Sequence, residues 1–200
     1  MRTHGVYMRP HQSYDAGMSD PATVWVRRPT AAPGGDESAP AFRLDRAVSG
    51  LTIGVREDRA WRSWQLIGDI WSEYLRRDGA ETITVETGAQ VGQPGSDDRK
   101  QIDELAAVVD AAVVGLGTCG SCTTFTIKDA VALEEQERPV VAVVCEEFLV
   151  HGQNVATHLG HRDLKILVLP YPLEARPDDE LRAIADEYYP RMLELLGVAS

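Results

Sequence analysis

Two thiols separated by two residues, Cys119-Gly-Ser-Cys122, are the feature of this sequence with the most chemistry in it. A thiolate is the reactive form of cysteine, and the C-x-x-C spacing lets a second thiol attack and resolve a bond that the first has formed. The pair follows Gly115-Leu-Gly-Thr118. Gly115, Gly117 and Gly120 permit a tight turn and close approach of a substrate to backbone N–H groups, and Thr118 and Ser121 offer hydroxyls beside the sulfurs. Were the pair to open a helix, the unpaired N–H groups there would favour the anion. At least one thiol would then titrate below the ordinary value of about 8.5. The chemistry expected is nucleophilic or redox, on a small electrophilic substrate. Cys119 attacks, Cys122 resolves, and an external thiol reductant resets the pair. No bound cofactor is expected, because there is no phosphate-binding P-loop and Gly115-x-Gly117 lacks the third glycine of a dinucleotide fingerprint.

Other readings of the same residues stay open. Two small cysteines can simply fill a turn. Alternatively, Cys119, Cys122 and Cys145 are three ligands of a metal ion, with Glu146, His151 or water as the fourth. The chain would then be a non-catalytic or metal-binding subunit of a heteromeric enzyme. Cys145 by itself reads as a buried strand residue. A thioredoxin-like exchanger would carry its C-x-x-C after the first strand of a mixed sheet, whereas here the motif follows the third of a parallel series. Around the motif, Arg56 and Arg59 are expected in the loop after the first strand, either binding a carboxylate or phosphate or as solvated charge. Glu147 is a candidate acid or base beside Glu146, and His151 follows within a turn. Tyr171 between two prolines reads as a rigid turn. The Trp61, Trp64, Trp71 stripe reads as core packing or an oligomer face.

The elements that must position these groups follow from periodicity. Leu51–Glu57 reads as an apolar strand. Trp61, Trp64, Ile67, Trp71, Tyr74 and Leu75 recur at helical spacing before Gly79, a C-terminal cap. Strands are expected at 82–87, 111–115, 139–145 and 164–169. Helices are expected from Ser96, over 124–137, up to Gly160, and from Asp178, the last kinked at Pro190. Five β-α units with near-continuous apolar strands predict an α/β domain: a doubly wound, parallel, five-stranded sheet, flavodoxin-like or Rossmann-like, with helices on both faces and strand order 2-1-3-4-5. In such sheets ligands bind beyond the carboxyl ends of the strands where the order reverses, between the first and third strands. The dithiol falls there. Residues 1–48 read as an irregular extension, with Thr23–Val26 strand-like and 29–35 a linker, and residues 49–200 as the domain.

Composition narrows the classes further. A net charge of −11 argues against nucleic acid as a partner. No apolar run approaches the roughly 20 residues of a membrane helix, and the N-terminus lacks a signal core, so a cytoplasmic protein without a membrane partner is expected. Three cysteines are too few, and odd in number, for a disulfide framework. The extension and the subunit size point to a homo- or hetero-oligomer.

The blocks Thr118-Cys-Gly-Ser-Cys-Thr123, Lys128-Asp-Ala130, Pro139-Val-Val141, Glu147-Phe148 and Leu169-Pro-Tyr-Pro-Leu173 resemble the UGSC-type selenoproteins and their cysteine homologues, named for a Sec-Gly-Ser-Cys motif. The resemblance covers about residues 43–200. More distantly, the segment looks like the selenocysteine loop of the glycine, sarcosine and proline reductases, where a selenol is the nucleophile in reductive cleavage. The resemblance implies that Cys119 stands at the selenocysteine position and that Cys122 is its partner thiol. Phe125 stands where the reductase loop has a further cysteine.

Overall fold

A computed structural model describes residues 38–39, 41–88 and 92–199. The strand-like Thr23–Val26 and the linker over 29–35 lie outside the described residues. Strand β1 (Thr52–Asp58) is followed by α1 (Arg62–Arg77), β2 (Glu81–Thr87), α2 (Gly92–Val108), β3 (Ala111–Gly117) and α3 (Gly120–Glu134). Then come β4 (Val140–Cys145), a single 3₁₀ turn at Glu146–Phe148, α4 (Leu149–His158), β5 (Lys165–Leu169) and α5 (Asp178–Leu196). All strand pairs are parallel and the order is β2-β1-β3-β4-β5. This is the doubly wound, flavodoxin-like sheet expected from the alternation.

Strand composition explains the order. β3 and β4, built almost wholly of Ala, Val and Gly, are buried at every residue, as central strands covered on both faces must be. β2 holds the edge and keeps Glu81, Ile83, Thr84 and Glu86 exposed. Along β1 the pleat sends alternate residues to opposite layers. Val55 and Glu57 face α1, against Gly68. Gly54 faces Leu105 of α2 and Val109 just beyond it, and Arg56 reaches Asp129 of α3.

Two apolar layers result. One joins Ile53, Trp64, Ile67, Trp71, Val113, Val143 and Leu167 to Leu181, Ala185 and Met192 of α5. The other joins Ala112, Val114 and Val144 to Ile102 of α2 and Ile127 and Leu133 of α3. Trp64 and Trp71 are fully buried and meet edge to face at 5.5 Å. Their indole N–H groups donate to Arg56 O at 3.0 Å and Ala185 O at 2.8 Å, so neither polar atom offsets the gain from burying the ring.

Two helix starts differ from the sequence expectation. α2 begins four residues before Ser96, taking Pro94 and Gly95 into its first turn. α3 begins at Gly120, not Thr124, because the Cys119 sulfur caps it. α5 begins at Asp178 as expected and carries Pro190 within it; its C-terminal end closes at Gly197 in the left-handed region, φ 81°, as glycine allows. Before β1, Leu44 N and Asp45 N donate to Leu196 O and Gly197 O, and Val48 is buried in the core. The described end of the N-terminal extension is thus fastened to the end of α5.

Candidate active site

β1 and β3 are neighbours whose following helices pack on opposite faces, so the loops after them meet at the carboxyl end of the sheet, where sheets of this order usually bind ligands. The first loop delivers Trp61, the second Cys119 and Cys122. In the first, Asp58 Oδ1 accepts from Ala60 N at 2.9 Å and the Asp58 carbonyl from Trp61 N at 3.2 Å. The start of α1 is held to the segment before α5 by Ser63 on Glu174 and to the first residue of α5 by Arg62 on Asp178.

The second loop is shaped by crowding. A Cβ at Gly115 would stand 2.4 Å from the Trp64 ring, and one at Gly117 would stand 2.8 Å from Val144 and 2.9 Å from Thr123. These glycines admit protein side chains, where the sequence reading had them admit a substrate. Gly120, with nothing within 4 Å of its Cβ position, is the one that faces open space. The pairing of β3 with β4 shifts register between Val114 and Gly117.

Cys119 is the N-cap of α3 in extended conformation, and its sulfur accepts from Cys122 N at 3.1 Å. Cys119 and Cys122 form a disulfide across this first turn, with Cα atoms 5.2 Å apart, a normal separation for such a bridge. Ser121 Oγ lies 3.4 Å from the Cys119 sulfur, and the indole Nε1 of Trp61 lies 3.3 Å from the Cys122 sulfur. Both cysteines are half-buried, while Gly120 and Ser121 are exposed. His151 of α4 reaches the turn from outside, its Nε2 3.0 Å from Gly120 O and 3.1 Å from Thr124 Oγ1. Because the carbonyl can only accept, that nitrogen carries a proton and braces the turn.

The remaining sequence candidates lie elsewhere. Arg56 is in β1, not in the loop after it, and is fully buried. Its Nη1 donates to Gly115 O at 2.6 Å and its Nε pairs with Asp129 at 2.8 Å, so it fastens β3 and α3 beneath the dithiol. Burial pushes the Asp129 carboxyl up to about 6, against the opposing pull of Arg56. Arg59 bridges to Asp98 of α2 at 2.8 Å. Thr118 is buried and hydrogen-bonds Cys145 instead of the dithiol sulfurs. Glu147 is exposed in the turn after β4. The three cysteines do not form a common ligand set: among the described residues, no three His, Cys, Asp or Glu side chains gather as metal ligands.

Trp61 is the member of this site that sequence reasoning missed. It shares the helical spacing of Trp64 and Trp71, and nothing in that spacing marks it as the residue at the helix start, where the chain turns toward the neighbouring loop.

Cys145 is fully buried, and burial pushes its thiol up to about 11. Reduced native protein treated with iodoacetamide at pH 8 should therefore take two labels. The third should appear only after unfolding in guanidinium, as counted by intact mass.

Glu57, at the end of β1, is almost wholly buried against Gly68 of α1. Burial, with Asp69 and Glu86 adding repulsion, raises its carboxyl to about 7. A proton held more tightly in the folded state stabilises it fully below the unfolded value near 4.5, and that contribution is lost as pH rises through about 7. Glu57→Gln should abolish this slope and leave the variant more stable than the parent at pH 8. At about 1.4 kcal/mol per pH unit the gain is at most about 3 kcal/mol. Urea denaturation at pH 5 and pH 8 measures it.

Among the described residues, no helix is long and apolar enough to cross a membrane. No curated protein matches the sequence. One solved structure with a similar trace is described as a flavone reductase, 13% identical with a TM-score of 0.45. The match covers 72% of this chain and 62% of that one, so this chain spans less than two thirds of its length. A family model described as the UGSC family matches residues 25–198, and the chain belongs to the UGSC family.

Proposed function

We propose that this chain is a thiol-dependent oxidoreductase, or the catalytic subunit of one, that acts on a small electrophilic substrate through Cys119 and Cys122. The observation that carries the reading is the placement of Cys119 as the N-cap of a 15-residue helix, with its partner sulfur one turn away. A sulfur there receives a backbone N–H and the positive end of the helix, both of which favour the thiolate. Two half-buried cysteines beside the exposed Gly120 and Ser121 fit a small substrate better than a protein one.

For a disulfide substrate the electrons balance as follows. The Cys119 thiolate attacks one sulfur, the substrate S–S bond breaks, and one thiolate leaves. Cys122 gives up its proton and attacks the Cys119 sulfur, expelling the second thiolate. The substrate gains two electrons and two protons, and the protein is left as the Cys119–Cys122 disulfide. Two equivalents of an external thiol reverse this and leave as their own disulfide.

The test uses protein reduced and freed of reductant, then given one equivalent of 2-hydroxyethyl disulfide. Two equivalents of 2-mercaptoethanol should be released per chain, with both motif thiols lost to alkylation. No release, or a single equivalent with a lasting adduct, would overturn the reading.

A further inference from the structure

The three described tryptophans use their indole N–H groups differently. Those of Trp64 and Trp71 are spent on backbone carbonyls in the core. That of Trp61 is directed at the Cys122 sulfur, 3.3 Å away. The two motif sulfurs thus have separate donors: Cys119 has the Cys122 N–H and the Ser121 hydroxyl, and Cys122 has Trp61. A divalent sulfur accepts weakly, whereas a thiolate accepts as a charged group and gains far more from the same donor.

We infer that Trp61 is a catalytic hydrogen-bond donor to the Cys122 thiolate, the group expelled when a small thiol reductant opens the disulfide; this rests on the dithiol reading above. In that step a reductant thiolate attacks the Cys119 sulfur. The Cys119–Cys122 bond breaks, its electron pair passes to Cys122, and the new anion meets the indole N–H before taking a proton from water. A second reductant thiolate then attacks the reductant's own sulfur in the mixed disulfide and frees the Cys119 thiolate. The donor is in place beforehand, so the step needs no reorganisation to meet the charge. Its rigidity comes from α1: Trp61 is the N-cap, half-buried against the core, and its carbonyl accepts from Trp64 N and Gln65 N at 3.1 Å each.

Trp61→Phe keeps most of the ring packing and removes the N–H. In a Cys119→Ser background, the pH of half-maximal Cys122 alkylation should rise by about one unit, the scale of a hydrogen bond to a charged group. With both cysteines present, reduction by dithiothreitol should slow roughly ten-fold. A packing role would leave the alkylation profile unmoved. Far-UV circular dichroism checks the fold. Should Trp61→Phe not fold, benzothienylalanine at position 61 repeats the test with the bicyclic shape kept and the N–H absent. An unchanged profile in folded protein whose parent still exchanges disulfides overturns the Trp61 role alone. A parent that releases no 2-mercaptoethanol overturns the dithiol reading, whatever the alkylation profile shows.

Discussion

Cys119→Ser should abolish reduction of a small disulfide, by at least about 10³-fold, because a hydroxyl at neutral pH is a far weaker nucleophile than a thiolate. Cys122→Ser should behave differently. The first attack is intact, so one equivalent of thiol leaves, but nothing nearby can expel the second. Ser121 lies 3.4 Å from the Cys119 sulfur and a serine at 122 would sit close by, yet neither hydroxyl displaces a thiolate. A covalent Cys119 adduct should therefore accumulate and be visible by intact-protein mass spectrometry. Cys145 does not substitute for the missing thiol, since it is buried and bonded to Thr118. The asymmetry between the two variants identifies nucleophile and resolver. Equal loss in both, without an adduct, would mean that the pair acts only as a structural bridge. Full activity in Cys119→Ser would end its assignment as nucleophile.

How much of this site was legible depended on whether a residue's role is local. The dithiol was readable because its chemistry lies in its own spacing, and the sheet order because fully apolar strands such as β3 and β4 have few places to go in a parallel α/β domain. The capping of α3 by Cys119 was half legible: a sulfur before a helix was expected, but not that its acceptance of the Cys122 N–H would start the helix four residues early. Thr118 and Ser121 differ by three positions and look equivalent in sequence. At the end of β3 the chain sends Thr118 inward to Cys145 and leaves Ser121 outside beside Cys119. Arg56 was misplaced for a related reason. An arginine near the end of an apolar run looks like the start of a loop, and only its distant partners, Asp129 and the Gly115 carbonyl, allow the strand to continue through it. Trp61 depends on a partner 61 positions away, a juxtaposition set by the adjacency of β1 and β3.

That buried arginine carries the largest expected effect on stability. Arg56 is completely withdrawn from solvent, and so, nearly, is Asp129. Removing the cation leaves a carboxyl in an apolar layer with its main compensating charge gone, which typically costs about 3–5 kcal/mol. Arg56→Met keeps much of the side-chain volume, so a loss of that size would report the charge and hydrogen bonds more than a cavity. Part of it would be relieved by protonation of Asp129, which burial already pushes up to about 6. The variant should therefore lose less stability at pH 5 than at pH 8. The double variant Arg56→Met, Asp129→Leu removes both charges and should recover much of the loss, because an apolar pair in an apolar layer is often no worse than the ions it replaces. It should not recover the site. The bond from Nη1 to Gly115 O holds the irregular end of β3, which presents Cys119, and methionine cannot make it. Urea denaturation should thus show a double variant close to the parent in stability, while disulfide exchange stays slow, a separation that loss of folding alone does not produce. Recovery of both together would place Arg56 in the scaffold only, and recovery of neither would show that the leucine does not pack at position 129.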